Sequence, residues 1–498
     1  MTGMRSRFWS FSITLIGLAV LSGCTVGPRY ARPTAPVPPA YKEEPPGWKT
    51  AQPSDQIAKG KWWEIYQDPQ LNALEEKVNV SNQSLKASVA QFEQARALVR
   101  QFRADYYPTV TAGATGSRNR ISQNRGIFTS QPVYTDLQIP VVGVSYEPDL
   151  FGRIRKTVEE ARSNAQASAG DLENVSLSVH AELAVDYFEV RTLDAEEQLL
   201  RDTVDAYQKA LELTQNRYSG GVASGVDVAQ AQTILETTRA QMIDLQVARA
   251  QFEHAAAVLI GEPPSTFSIA FAPWNAPPPV IPAGVPSDLM ERRPDVAAAE
   301  RRMAAANAQI GVARSGYFPI LNLFGSGGFE SSTITNLITG PSGFLSAGAS
   351  AAVTAFDVGR RRAISDEAKA AYDQSVANYR QTLLTSFEEV EDNLAALRIL
   401  EQEAKTQQDA VAAAQHSLDL STTRYKGGVT TYLEVTTAQE LALSDERVAV
   451  EILSRRMTAS VQLIQALGGG WDASSLNKIQ MTSTQPPQAT PAQVAARP

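Results

Sequence analysis

The chain is written twice, and that restricts its fold more than any other feature of the sequence. Leu211–Val222 (LELTQNRYSGGV) and Leu418–Val429 (LDLSTTRYKGGV) share one pattern 207 positions apart. The offset pairs Arg217 with Arg424, Tyr218 with Tyr425, Gly220-Gly221-Val222 with Gly427-Gly428-Val429, and Asp227 with Glu434. It also pairs Gly152-Arg153 with Gly359-Arg360, whereas Tyr107-Pro108 and Phe318-Pro319 are 211 apart. An indel of four residues therefore falls between 108–152 and 319–359, and a surface loop is the expected place for it. Two long units are not a short-period solenoid.

The hydrophobic period within each unit changes partway along. No proline interrupts Gly152–Gly220 or Gly359–Gly427. Tyr372, Val376, Tyr379, Leu383, Phe387, Val390, Leu394 and Leu397 recur at steps of three and four, as do Leu172, Val175, Val179, Leu183, Tyr187, Val190 and Leu193. Such a stripe predicts helices, each about 100 Å long if unbroken at ~1.5 Å per residue. The Gly-Gly pairs end them, and Asp227 and Glu434 suit the first turn of a return helix. Each unit thus carries a long helical hairpin, about 152–260 and 359–467.

The segments about 108–148 and 319–356 alternate instead. Val110, Ala112 and Ala114 alternate with Thr109, Thr111, Gly113 and Thr115; Val142, Val144 and Tyr146 with Gly143 and Ser145; Leu345, Ala347, Ala349 and Ala351 with Ser346, Gly348 and Ser350. Ile320–Gly328 fits neither period cleanly. Strands with one apolar and one small polar face suit an outer-membrane barrel, although a water-soluble hairpin gives the same alternation. Four strands cannot close a barrel, so a barrel reading demands several copies of the chain.

Acidic residues outnumber basic ones, 53 to 45, in 498 residues. With no basic surplus, nucleic-acid binding is not expected. Cys24 is the one cysteine, and His180, His254 and His416 are far apart, so neither a metal site nor a nucleophile–base pair is expected. Glycines 220–225 and 468–470 lack the Lys-Ser/Thr of a phosphate loop. No catalytic residue or cofactor is expected apart from a covalent lipid. Residues 1–23 read as a signal peptide, with Arg5 and Arg7 before the apolar stretch Phe8–Leu21, too short to be a spanning helix. Loss of those two arginines takes the formal charge from −8 to −10. Leu21-Ser-Gly-Cys24 resembles a bacterial lipobox, which makes Cys24 the candidate lipidation site. Residues 24–62 form a proline-rich extended segment, 63–275 and 276–472 the two repeats, and 473–498 a disordered tail.

Taken together and in order, these motifs resemble the TolC/OprM-type outer-membrane efflux channels, lipoprotein (OprM/NodT-like) branch. The resemblance rests on the lipobox with Val26-Gly-Pro28-Arg-Tyr30, Trp62-Trp63, Asp149-Leu-Phe-Gly152-Arg153, Arg292-Arg-Pro-Asp295, both Arg-Tyr-x-Gly-Gly-Val tips and Leu467-Gly-Gly-Gly-Trp471. It implies a predominantly α, α+β chain forming a homotrimer, with a 12-stranded β-barrel in the outer membrane continuing into a periplasmic 12-helix α-barrel. It implies a passive exit duct for drugs or other small toxic compounds, reaching a periplasmic adaptor and an inner-membrane pump. The tips (Arg217, Tyr218, Gly220, Gly221, Val222; Arg424, Tyr425, Gly427, Gly428, Val429) become adaptor contacts, whereas the residues alone are equally consistent with plain helix caps. Leu433, Glu434, Thr437 and Asp227 become the pore constriction. Many relatives carry an acid where this chain has Thr437, and the basic gate partner near Thr430 is missing. Arg292–Asp295 reads as a helix start.

A type I protein-secretion channel is the rival cargo reading. A lipid-anchored periplasmic adaptor would carry one hairpin, not two, and a surface hydrolase would need a site this sequence lacks.

Overall fold

The computed structural model describes residues 26–34, 37–43, 61–122, 133–281 and 289–471; the signal segment, Cys24 and the 473–498 tail lie outside them. Helices α1 (Pro69–Ser81) and α2 (Gln83–Ala104) lead into strands β1 (Thr109–Arg120) and β2 (Val133–Tyr146), then α3 (Arg153–Ser219) and α4 (Gly225–Leu259). The second half runs α5 (Pro294–Ser315), β3 (Ile320–Ser331), β4 (Gly343–Ala352), α6 (Arg360–Lys426) and α7 (Tyr432–Ala466).

The duplication survives to the residue. Helices α3 and α6 have 67 residues each, and α4 and α7 have 35. Both pairs start and end 207 apart, whereas α2/α5 and β1/β3 are 211 apart at both ends. The indel is not where a surface loop was expected: β2 has 14 residues against 10 in β4. The extra length is absorbed by pairing, because β2 runs the whole length of β1 to Arg120↔Val133, while β4 stops at Phe329↔Gly343. The ambiguous segment after Pro319 is strand β3.

The elements form two compact units, and each takes chain from both repeats. The repeats are units of sequence; compactness divides the chain differently.

Unit 1 comprises residues 1–34, 91–168 and 299–379. Its sheet is antiparallel in the order β1-β2-β3-β4. Opposite residues share a face, so the register sorts the side chains. Val110, Ala112, Val142, Val144, Leu321, Leu323, Leu345, Ala347, Ala349 and Ala351 fall on one side. Thr109, Thr111, Ser145, Asn322, Ser326, Ser346 and Ser350 fall on the other, where Phe324 and Phe344 cover Gly348 and Gly328. Below the sheet, the strap after residue 25 is pinned: Val26 N–H donates to the Phe151 carbonyl at 3.2 Å, and Tyr30 bonds Glu300. Gly27 has φ +123°, and a Cβ there would lie 2.7 Å from Gly311 Cα, so only glycine fits.

Unit 2 comprises residues 35–90, 169–298 and 380–498. Trp62, Trp63, Tyr66, Leu71, Tyr187 and Phe188 are buried in it. Arg293 is buried where α5 begins; it donates to Asp295 (2.7 and 3.0 Å), Glu389 (2.6 Å) and the Ala466 carbonyl (3.0 Å). Pro294 and Asp295 thus open α5, as the proline and first-turn acid imply, while Arg292 ends the short helix Leu289–Arg292 just before it. His180 Nδ1 lies 2.5 Å from Glu75 and stacks on Trp63 at 4.5 Å.

Candidate functional site

The hairpin tips are built by the same capping chemistry twice. The Val222 N–H donates to the Arg217 carbonyl at 2.8 Å and Gly221 N–H to Tyr218 at 2.9 Å. The second tip repeats this, with Val429 to Arg424 and Gly428 to Tyr425, both at 3.0 Å. This paired pattern closes a helix only if the residue after the cap is left-handed, and Gly221 and Gly428 have φ +75° and +74°. Gly220 and Gly427 differ: a Cβ on either would meet carbonyl oxygens at an ordinary 3.5 Å. The fold of this chain demands the second glycine of each pair, not the first.

In three dimensions the tips are unequal. Tyr218, Val222 and Val429 are 55%, 68% and 72% exposed. Tyr425, expected on the adaptor-facing surface, is instead 4% exposed. It packs edge-on to Tyr432 at 5.2 Å, in a cluster with Tyr207, Leu211, Ile234 and Val435. The Arg217 guanidinium lies over its ring at 4.8 Å and donates to the Lys426 carbonyl at 3.0 Å. Tyr425 is removed from the surface because the first hairpin supplies an apolar pocket and a cation to cover it. That leaves Tyr218, Gly220, Gly221 and Val222, with Arg424, Gly427, Gly428 and Val429, on the outside. Burial pushes the Tyr432 hydroxyl up to about 12, so it stays neutral.

The return helices also begin differently. Ser224 and Asp227 form a reciprocal capping box, Asp227 accepting from Ser224 N–H at 3.0 Å and Ser224 Oγ from Asp227 N–H at 3.2 Å. Asp227 is thereby tied to its own helix. Its twin Glu434 follows Thr431, which makes no side-chain cap, and Glu434 has no hydrogen-bond or ion-pair partner among the described residues. Leu433 is 57% exposed; Glu434 and Thr437 share the exposed side of α7. The Thr437 hydroxyl is spent on the Leu433 carbonyl at 3.0 Å. Of the four expected constriction residues, Glu434 alone presents a free carboxylate. Next to the tips a cavity of about 1170 Å³ opens between α3, α4 and α7, with Tyr207, Ile234, Leu433, Glu440 and Arg447 in its wall.

Unit 1 supplies a different kind of site, a wall. Both sheet faces are largely open, and β1 and β4 each pair on one side only. No helix among the described residues is long and apolar enough to cross a membrane.

A family model described as "Outer membrane efflux protein" matches twice, over residues 74–262 and 285–469. The chain belongs to this family. Among its relatives, the toluene efflux pump outer membrane protein TtgC of Pseudomonas putida is 32% identical over 481 residues, 95% of this chain and 99% of that protein. The outer membrane protein OprJ of Pseudomonas aeruginosa is 32% identical over 471 residues, covering 94% and 97%. The solved outer-membrane channel OprN superposes with a TM-score of 0.83 at 29% identity, over 90% of this chain and 100% of OprN. This member of the outer membrane efflux protein family is thus a TolC/OprM-type outer-membrane efflux channel.

Sequence reasoning missed how Arg217 and Tyr425 are used. Twin motifs implied twin roles.

Proposed function

We propose that three copies of this chain form the exit duct of a tripartite efflux system for small toxic organic compounds. A periplasmic adaptor docks on the exposed tips and links the duct to an inner-membrane pump. The observation that carries this is the four-stranded sheet with two unpaired edges and one continuous apolar face. In hydrocarbon an unpaired strand edge costs several kcal/mol per polar group, about enough to make closure obligatory. Three copies contribute twelve strands, above the roughly eight a closed barrel needs. The cargo class is suggested by TtgC, whose name specifies toluene. Gly220 and Gly427, which the chain's own fold does not require, suit close approach of another helix tip. Glu434, repeated about a threefold axis, would ring the lumen with carboxylates that favour cations. Acylation at Cys24 would anchor a strap whose next described residues are already fixed to unit 1.

Planar-bilayer conductance of the purified protein tests the reading. Discrete channels are expected, with a cation preference that weakens in Glu434→Gln. Absence of channels would refute the duct, and unchanged selectivity would remove Glu434 from the pore. Gly220→Leu should keep conductance while losing cross-linking to the adaptor; retained cross-linking would move the docking surface elsewhere.

A further inference from the structure

The apolar face of the sheet ends in two arginines. Beyond the irregularities at Gly113/Thr115 and Ile139/Val142, the register pairs Ile139 with Phe329, Leu137 with both Ser331 and Gly116, Arg118 with Thr135, and Arg120 with Val133. Ile139 and Phe329 continue the face of Val144 and Leu323. Arg118 and Arg120 therefore lie on the same face, at the end of β1 farthest from the helices. The acidic residues at that end lie on the opposite face: Asp136 is paired with Ser117, and Glu330 with Gln138. Charges of opposite sign are thus separated by the thickness of the sheet. Both arginines are exposed, and neither has a hydrogen-bond or ion-pair partner among the described residues.

The spacing fits a bilayer. Leu321 to Phe329 spans about 26 Å at ~3.3 Å per residue, against an apolar band of about 25 Å in outer-membrane barrels. Arg118 lies two same-face steps beyond that band, past the level of Leu137 and Gly116, and Arg120 one step further, so both arginines sit beyond the hydrocarbon, where a charge is tolerated. At that depth the available anions are lipid phosphates, which a guanidinium binds through two parallel N–H bonds.

We propose that Arg118 and Arg120 hold a phosphate group of an outer-leaflet glycolipid against the outward face of β1. This rests on the proposed reading in which the sheet is a membrane wall with its helices in the periplasm.

The test offers full-length protein in detergent an equimolar mixture of bisphosphorylated lipid A and its dephosphorylated form, with bound lipid read by native mass spectrometry. Wild type should retain the phosphorylated form by about ten-fold, the scale of one charge-assisted contact pair. Arg118→Gln/Arg120→Gln should lose that preference, and Arg118→Lys/Arg120→Lys should keep part of it. No preference in wild type, an undiminished preference in the Gln pair, or complete displacement by equimolar inorganic phosphate would overturn the proposal. A fluorophore on Ala349→Cys, quenched by nitroxide lipids after reconstitution, separates the two levels. Quenching without phosphate preference refutes the arginine site alone; no quenching refutes the membrane wall and the site with it.

Discussion

Gly220 and Gly221 are neighbours with different duties. Gly221 holds a left-handed backbone that costs an L side chain roughly 1–2 kcal/mol. Gly221→Ala or Gly428→Ala should lower the thermal midpoint of the helical signal, whereas Gly220→Ala should leave it within about a degree or raise it slightly, since alanine favours helix. Equal losses at both positions would remove the distinction. The buried pair Glu75–His180 gives a second expectation. Burial holds Glu75 protonated well above the usual carboxylate range and pushes His180 down to about 4. The His180 contribution to stability is complete above its ordinary value near 6.5 and is lost as pH falls toward 4. The Glu75 contribution has the opposite sign, complete below its ordinary 4.5 and lost as pH rises. At pH 7.5 only the Glu75 loss remains, so Glu75→Gln, which keeps a donor for Nδ1, should melt a few degrees higher than wild type. The advantage should vanish near pH 4.5. The tip glycines were legible in the sequence because a helix stop has a fixed chemistry. The Glu75–His180 pair was not, because 105 residues separate its members, and nothing local in either segment announces the other.

The helices followed their sequence at the scale of elements because a 3.6-residue period over many turns has no competing reading. The strands were harder. Alternation located three of them but could not say which face meets lipid, and β3 was ambiguous because glycine occupies Gly325, Gly327 and Gly328, where a pattern needs side chains. Register resolves this, and register is a property of two strands, invisible in either alone. It yields a sharp contrast. Ala349→Lys, mid-strand on the apolar face, should cost about 2–4 kcal/mol of barrel stability, whereas Ser350→Lys on the polar face should be tolerated. Heat-modifiable mobility of the two variants on gels checks this: equal shifts would abolish the assigned faces, and a larger shift for Ser350→Lys would invert them. The indel was misplaced for a related reason: strands are usually less tolerant of length change than loops, but the far end of a hairpin can lengthen by adding pairs, as β1–β2 does at Asn119↔Tyr134 and Arg120↔Val133, while the irregularity near Pro140 shifts the register by a single residue.

At the scale of the whole molecule, the chain is insufficient alone. Its sheet has two open edges, and exposed aliphatic residues remain on α4 (Ile243, Val247) and on α6 (Leu384, Ile399, Leu420), where other helices can cover them. Multi-angle light scattering of the detergent-solubilised protein should give three protomers per particle, and a stable monomer would contradict the closed barrel. Cys24→Ser should abolish incorporation of labelled palmitate, and persistent label would place the acyl group elsewhere. The need for copies could be read from a strand count, but their number could not, because eight, twelve or sixteen strands all close.

The matched lengths of α3 and α6, 67 residues each, make the two hairpins gauges of one another. Removing seven residues from α3 between 170 and 216 would draw Arg217 back by about 10 Å at ~1.5 Å per residue, out of reach of Tyr425 and Lys426. The same cut made in α6 as well would restore the match. Drift in the reach of such a chain is therefore confined to paired steps: a change accepted in one half stays a defect until its counterpart arises in the other.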